Sequence, residues 1–398
     1  MSRKVDRLLD LLVLVGYSIA FPVKLAKRIS GHEQYDRCVM YRAVREGYVS
    51  LIRSEGKRQV IRSLQLTEKG LDYIACRDPE AVALIYGRTD SIPKVYPSQV
   101  SRLLRLHAIA VGLVMARAAG AVIPPLKKPS LLLHIPPQSN QPANPEMVYY
   151  YSPFELRAAF EELDDRVMSK TSRLIGIIIR KNHCFCLYYA GKSRIFWQRV
   201  TEENHAYGIK ALLQTRGFQI DVLSQIVIGS RMSVAEKLCR SPRPGGDKYF
   251  VVSDFFEHCH FVTDDAAGDR LLPMIIRPSD CLDRSRQILA AYCPPGPGER
   301  LFDALEGATG RPVFLEVGCD LLTLERLKQR RFGFLKEPIV LCCDFQSDTV
   351  AYILKDAAEV RSIPREIWQG NTRTYTDPDE TYLMNTGQSK PQLPGKQA

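Results

Sequence analysis

The sequence of 398 residues contains no apolar run long enough to cross a membrane. Its longest apolar segments, residues 8–21 and 108–116, are shorter than the roughly 20 residues that a transmembrane helix needs. It also begins without a secretory signal segment, and its 11 cysteines follow no regular spacing. We therefore expect a cytoplasmic protein with reduced thiols that does not enter the membrane.

Motifs that mark cofactor and metal sites are also missing. No glycine-rich segment is followed by the Lys-Ser/Thr pair of a phosphate-binding loop. No Cys-x2–4-Cys knuckle is present, and strand cysteines in apolar runs are more typical of a core than of a zinc site. The cysteines in such runs are Cys184, Cys186, Cys259, Cys342 and Cys343. We expect no cofactor and no bound metal.

The sequence has a single Glu-x-Lys triplet, Glu55-Gly56-Lys57, and no Asp-x-Lys triplet. A nuclease of the restriction-endonuclease fold needs Glu-x-Lys on a strand, because the carboxylate holds a metal and the lysine stabilises developing charge. The triplet here lies at a predicted hairpin tip. The nearest substitute, Glu155-Leu156-Arg157, lies on a predicted helix. The absence of Glu-x-Lys from the predicted strands of the α/β domain argues against metal-dependent cleavage by this route and leaves enzymatic activity uncertain.

Positive charge is concentrated at the start of the chain. The whole sequence carries 55 Lys and Arg against 44 Asp and Glu, a formal net charge of +11. Residues 1–66 hold 13 of these cations and 6 of the acids, so a sixth of the chain carries +7. Such a concentration favours a polyanionic partner.

The charged region has the pattern of a small helical domain with a hairpin. Apolar residues at helical spacing predict two short helices before residue 30 and a third over residues 32–46. Two strands, 48–53 and 59–66, flank a turn, and Thr67 is the expected N-cap of a closing helix. This order of elements predicts a winged helix-turn-helix domain over residues 1–77.

The third helix presents one polar face opposite its apolar stripe. Arg and Gln side chains can make bidentate contacts with base edges in the DNA major groove, and other basic groups meet phosphates. We therefore predict that this domain binds double-stranded DNA. The predicted DNA-binding residues are Gln34, Arg37, Tyr41, Arg42 and Arg45 on the helix, and Arg53, Lys57, Arg58 and Arg62 on the hairpin. The alternative is a scaffold whose winged helix binds protein.

The rest of the chain divides into three predicted parts. Residues 78–148 are expected to be a linker, irregular as far as residue 97, with a long helix over 98–120 capped by Ser98, and then a proline-rich loop. Residues 149–370 predict a mixed α/β-sheet domain, because strand hairpins alternate with crossover helices. The polar segment 371–398 predicts a disordered tail.

Three segments carry a family resemblance: SRLLRLHAIA…ARAAG, YYYSPFEL and SRLIGIIIRKNHCFCLYYAGKSRIFWQ. With the preceding winged helix they resemble the replication-relaxation family of bacterial plasmids and integrative and conjugative elements, over most of residues 1–345. Members couple an N-terminal winged helix to an α/β domain similar to the restriction-endonuclease fold, which the missing motif predicts to be catalytically degenerate here. The resemblance implies a DNA-binding protein of a mobile genetic element that acts in replication, transfer or transcriptional control. We expect a homodimer that also binds replication or conjugation proteins.

One catalytic alternative remains open. His258 and His260 are alternate residues after a strand-like run that begins at Tyr249, so both side chains could bind one divalent metal. Enzymes that nick single-stranded DNA in rolling-circle replication and conjugation use such a pair with a tyrosine nucleophile. Tyr292 is the candidate here, although Cys293-Pro294 follows it instead of the lysine of replication initiators.

Overall fold

The computed structural model describes most of residues 6–369. The segments outside the described part are 1–5, 56–59, 87–93, 125–127, 133–143, 145, 164–172, 194, 240–248, 278–284, 286–288, 290–301, 332, 335 and 370–398. The described residues form three sheets flanked by helices, an α+β fold that agrees with the helices and the mixed sheet predicted from the sequence. Among these residues, none of the helices has the length and apolar character of a membrane span.

The N-terminal part packs helices against a small antiparallel sheet. Its helices are α1 Arg7–Ser18, a 3-10 helix Val23–Arg28, α2 Glu33–Arg45, α3 Glu68–Ala75 and α4 Pro79–Tyr86. Its strands are β1 Phe21–Pro22, β2 Val49–Glu55 and β3 Val60–Leu66, which lie in the order β1-β3-β2. The predicted hairpin and the N-cap Thr67, whose side chain accepts the Gly70 N–H, are confirmed.

A five-stranded mixed sheet forms the centre of the larger part. Its strands are β4 Val148–Tyr151, β5 Leu174–Arg180, β6 His183–Gly191, β7 Val222–Gly229 and β8 Cys259–Thr263, in that spatial order. The pairs β4–β5 and β5–β6 are antiparallel, while β6–β7 and β7–β8 are parallel. The prediction of a mixed sheet is confirmed.

A second mixed sheet follows along the chain. Its strands are β9 Ala304–Leu305, β10 Pro312–Leu315, β11 Ile339–Cys343 and β12 Glu359–Ile363, in the order β12-β11-β10-β9. The α-helices that the structure describes in the larger part are α5 Val100–Ala118, α6 Pro153–Glu162, α7 Arg199–Thr215, α8 Ser233–Leu238, α9 Ala266–Ile276, α10 Leu321–Lys328, α11 Ser347–Leu354 and α12 Arg365–Gln369.

Helix α5 packs on the N-terminal part and on the larger part together. It contacts α1 and β1 on one side, and β5, β6 and α9 on the other. One buried apolar cluster includes Leu12 of α1, Ile109 of α5, Ile178 of β5 and Leu272 of α9. The segment that the sequence predicted as a linker therefore contains a helix of the shared core.

The structure corrects the predicted irregular stretch 78–97 and the predicted cap Ser98. Residues 79–86 form α4, where Ile85 packs against Gly16 of α1. The Asp78 carboxylate accepts the Ala81 N–H and so fixes the start of this helix. Helix α5 begins at Val100 after Gln99, and Gln99 makes no side-chain capping bond to the helix.

The strand-like run from Tyr249 to Phe255 is also corrected. Only Tyr249 pairs there, in an isolated antiparallel bridge with Phe196, while the strand β8 lies later, at Cys259–Thr263. Phe250 is nevertheless buried, so the alternation of apolar residues reflects side chains that anchor a loop. The tail 371–398 lies outside the described residues.

Candidate functional site

Helix α2 presents the polar face that the sequence predicted. Met40 and Ala43 are buried against the core, and the buried Asp36 carboxylate accepts the Ser30 N–H at 2.9 Å. These contacts fix the rotation of the helix about its axis. The opposite face exposes Gln34, Tyr41, Arg42 and Arg45, with Arg37 half-buried beside them. The structure therefore brings the five predicted helix residues together on one side.

Two ion pairs within α2 hold arginines of this face. Arg37 Nη2 lies 2.9 Å from Glu33 Oε1, and Arg42 Nε lies 2.9 Å from Glu46 Oε1. Hydrogen bonds from Lys27 and Arg37 lower the pKa of Glu33, and the bond to Glu46 raises the pKa of Arg42. Because the pairs are exposed, each contributes little to stability. Their arginines can therefore exchange a carboxylate for another anion at small cost.

The hairpin places two further predicted residues face to face. Arg53 of β2 pairs directly with Arg62 of β3, and both side chains are exposed. Among the described residues, neither guanidinium has a carboxylate within ion-pair distance. Like charges directly opposite each other destabilise a strand pair. An anionic partner would offset that cost. The other two predicted hairpin residues, Lys57 and Arg58, lie outside the described residues.

One basic residue near α2 has a structural role instead. Arg28, at the end of the 3-10 helix, donates to both carboxylate oxygens of Asp269 in α9, at 3.2 and 2.6 Å. It also donates to the backbone carbonyl of Asp264. This contact attaches the N-terminal part to the larger part.

The structure brings His258 and His260 together at the edge of the five-stranded sheet. Their rings stack at 5.4 Å between centroids, with an interplanar angle of 21°. His258 Nδ1 lies 2.9 Å from Asp320 Oδ2, and His260 Nδ1 lies 3.3 Å from the carbonyl oxygen of Gly318. Asp320 is the residue before α10, which sequence spacing alone does not connect with either histidine.

Opposed electrostatic effects fix the protonation of this cluster. The bond to Asp320 raises the pKa of His258, whereas burial lowers the pKa of His260. Burial alone would raise the pKa of Asp320, but the bond from His258 and the charge of His260 hold it well below its usual range. Burial and the nearby Asp320 raise the pKa of Glu316 well above its ordinary value. The result is an ionised carboxylate that orients a half-exposed imidazole.

A third imidazole, His183 at the start of β6, lies next to this cluster. Its ring centroid is 6.4 Å from that of His258, and its Nε2 lies 2.7 Å from Ser224 Oγ. Burial and the neighbouring His258 lower the pKa of His183 to about 3. Because β6 pairs in parallel with β7, and β7 with β8, His183 at the start of β6 lies near His258, which precedes β8. No local pattern in the sequence signals this arrangement.

The described residues contain no cluster of three or more His, Cys, Asp or Glu arranged to hold a metal. Tyr292, the candidate nucleophile of the nicking alternative, lies outside those residues. The five cysteines predicted to be core are all buried. Glu155 lies in α6 as expected, where it forms a capping box with Ser152 and an ion pair of 2.7 Å with Lys128.

The two sites offer different chemistry. The face of α2 is exposed, rich in arginine and suited to an extended anion, whereas the histidine cluster is small and largely engaged in its own hydrogen bonds. No family model matches this chain, and neither a curated protein nor a solved structure is similar to it.

Proposed function

We propose that this protein is a sequence-specific double-stranded DNA-binding protein that reads the major groove with α2. The observation that carries the proposal is the exposed face of α2, where a glutamine, three arginines and a tyrosine lie together on a helix anchored by its opposite side. A helix of this kind fits the major groove, and its Arg and Gln side chains match base edges. The net charge of +7 over residues 1–66 supplies attraction to phosphates.

The topology of the N-terminal part supports a winged helix-turn-helix reading. Helix α1, strand β1, the 3-10 helix, α2 and the hairpin β2–β3 follow one another, and β1 pairs with β3. In this reading α2 is the recognition helix and the hairpin is the wing. Arg53 and Arg62 contact phosphates, together with Lys57 and Arg58 of the segment between the two strands, which relieves the repulsion between the two facing arginines.

The biological setting follows from the sequence resemblance. The protein acts in a bacterial mobile genetic element, in plasmid replication, conjugation or transcriptional control, and the α/β part serves as a catalytically degenerate nuclease-like domain. That part mediates dimerisation or recruits replication or conjugation proteins. A dimer requires a target with inverted half-sites, because protein symmetry is mirrored in the DNA.

Alanine substitutions on the helix and at the wing tip test the proposal. The target is first selected from a random duplex pool, and affinities are then measured by filter binding at several salt concentrations. Arg42→Ala should weaken binding by about 5- to 100-fold and change the base preference at one position, since a bidentate base contact is lost. Lys57→Ala should weaken binding to all sequences alike and lower the salt slope by about one.

Lys94→Ala, which removes an exposed lysine outside the N-terminal domain, is the matched control and should leave affinity unchanged. Wild-type affinity in both test variants would refute the proposal. Weak binding of every duplex at low salt would instead favour the scaffold alternative.

Removing the carboxylates that hold the arginines of α2 should strengthen DNA binding. Glu33→Gln and Glu46→Gln each free an arginine from its ion pair. The arginine can then contact a phosphate or a base without first breaking that pair. We expect affinity to rise by about 2- to 5-fold per substitution, because exposed ion pairs are weak. The measurement is the same filter-binding titration. Glu161→Gln on α6 removes an exposed carboxylate elsewhere, and an equal gain there would show that net charge alone is responsible.

A further inference from the structure

A second exposed surface lies on the larger part, remote in sequence from α2. We define the arginine–aromatic surface by the exposed side chains of Arg157, Arg173, Phe196 and Tyr249. We propose that this surface binds single-stranded nucleic acid, with unpaired bases on the two aromatic rings and phosphates on the arginines. The proposal concerns residues that the double-stranded DNA site does not use.

The two aromatic rings are held outward by buried neighbours. Phe196 is 46% exposed and Tyr249 is 49% exposed, and their backbones form an antiparallel bridge. On the inner side of this bridge, Trp197 is buried and packs edge-on against Phe250, with centroids 4.9 Å apart. Phe196 and Tyr249 themselves meet edge-to-face at 6.4 Å. Apolar rings fixed in solvent gain free energy when a flat partner stacks on them.

One exposed arginine lies directly against one of these rings. The Arg173 guanidinium lies over the Phe196 ring at 5.9 Å from its centroid. The backbone N–H of Arg173 donates to the buried carboxylate of Glu202 at 2.7 Å, and the backbone carbonyl oxygen of Arg173 accepts from the Arg105 guanidinium at 2.8 Å. Burial and the neighbouring charges of Arg173 and Arg157 lower the pKa of Arg105 to about 10. The guanidinium of Arg105 donates to the carbonyl oxygens of Arg173 and Leu174 and so supports this surface from below. Arg157 and Arg173 are the two arginines here whose side chains are exposed to meet phosphates.

This combination favours an unpaired nucleic acid strand. Positively charged arginines bind anions, and exposed aromatic rings stack on flat apolar groups. A nucleotide has both, in its phosphate and its base. In a duplex the bases already stack on each other and would leave the rings uncovered. An acidic peptide would pair with the arginines but would provide no planar group for Phe196 and Tyr249.

The test uses the full chain carrying Arg42→Ala and Arg45→Ala, so that the proposed double-stranded DNA site contributes little. Fluorescence anisotropy measures the affinity for a labelled 12-nucleotide oligo(dT), with heparin and the matching duplex as competitors. Phe196→Ala and Tyr249→Ala should each weaken binding by about 5- to 100-fold, which is the usual effect of losing one stacked base. Arg173→Ala should weaken binding and reduce its salt dependence.

Tyr352→Ala is the matched control, because Tyr352 on α11 is also 49% exposed. Circular dichroism confirms that each variant is folded, and photocrosslinking of 5-iodouracil oligonucleotide followed by mass spectrometry identifies the contacting residues. Crosslinks at Phe196 or Tyr249 support the proposal. Equal affinity in the Phe196→Ala, Tyr249→Ala and Tyr352→Ala variants, crosslinks confined to other segments, or tighter binding of the duplex would overturn it. The effects of Phe196→Ala and Tyr249→Ala and the positions of the crosslinks do not depend on whether α2 reads double-stranded DNA.

Discussion

Asp320→Ala should lower the free energy of unfolding by about 3–5 kcal/mol, because two buried backbone N–H groups each lose their acceptor at a cost of about 1–3 kcal/mol, while the pair with the half-exposed His258 adds less. The Asp320 carboxylate is buried and joins β8 to the start of α10. It accepts hydrogen bonds from His258 Nδ1, the Cys259 N–H, the Leu322 N–H and Thr323 Oγ1. Alanine would leave the His258 imidazole and the buried N–H groups of Cys259 and Leu322 without their acceptor. Each such group then costs its own desolvation energy.

Urea unfolding of the wild type and of Asp320→Asn separates the charge from the hydrogen bonds. Because the pKa of His258 is raised in the folded chain, its pair with Asp320 contributes stability that is fully present below the unfolded pKa of about 6.5. That stability is lost as the pH rises through the folded value. The difference in the free energy of unfolding between wild type and Asp320→Asn should therefore be larger at pH 6 than at pH 9.

Asp348→Ala, at an exposed position in the first turn of α11, is the control and should change stability by less than about 1 kcal/mol. If Asp320→Ala lowered the free energy of unfolding by no more than this, the bond between His258 and Asp320 would not stabilise the contact between β8 and α10. A raised pKa of His258 that persists in Asp320→Asn, measured by proton NMR, would assign the shift to another group.

The sequence was most informative where structure depends on near neighbours. The stripe of Met40 and Ala43 predicted which face of α2 is buried, and the cap Thr67 predicted where α3 begins. The alternation of β2 and β3 around a polar turn predicted their pairing. In these cases the helical or strand period repeats within a few residues, so that the spacing of apolar residues is enough to predict the element and its buried face.

Contacts between distant residues could not be predicted in the same way. Helix α4 is short, and its burial depends on Ile85 meeting Gly16 of α1. His183 meets His258 only because β6, β7 and β8 align in parallel, and Asp320 joins them from a third element. The loop at Tyr249–Phe256 has the sequence pattern of a strand because Phe250 and Phe256 are buried, and Phe250 packs against Trp197. Tertiary packing decided each of these local structures.

Gly70→Ala should destabilise the N-terminal part by about 3 kcal/mol, because α3 packs against the hairpin without room for a side chain. An added Cβ at Gly70 would lie 2.1 Å from the backbone carbonyl oxygen of Tyr48. That oxygen also accepts from the Thr67 N–H at 3.1 Å and from Thr67 Oγ1 at 2.9 Å, so the cap of α3 holds it in place. The clash therefore displaces backbone, and the gain in helix propensity of about 1 kcal/mol does not offset it.

Gly112→Ala in α5 is the matched control for Gly70→Ala, since its nearest neighbour is the Cδ1 atom of Ile175 at 3.0 Å, a side-chain tip that can turn away. We expect a change within about 1 kcal/mol for this variant, measured by urea denaturation. Because α3 fixes the base of the hairpin that carries Arg53 and Arg62, Gly70→Ala should also weaken the DNA binding that we propose, under conditions where the larger part remains folded. Equal stability of the two variants would show that α3 can shift away from Tyr48, and the hairpin would then not depend on this close contact for its position.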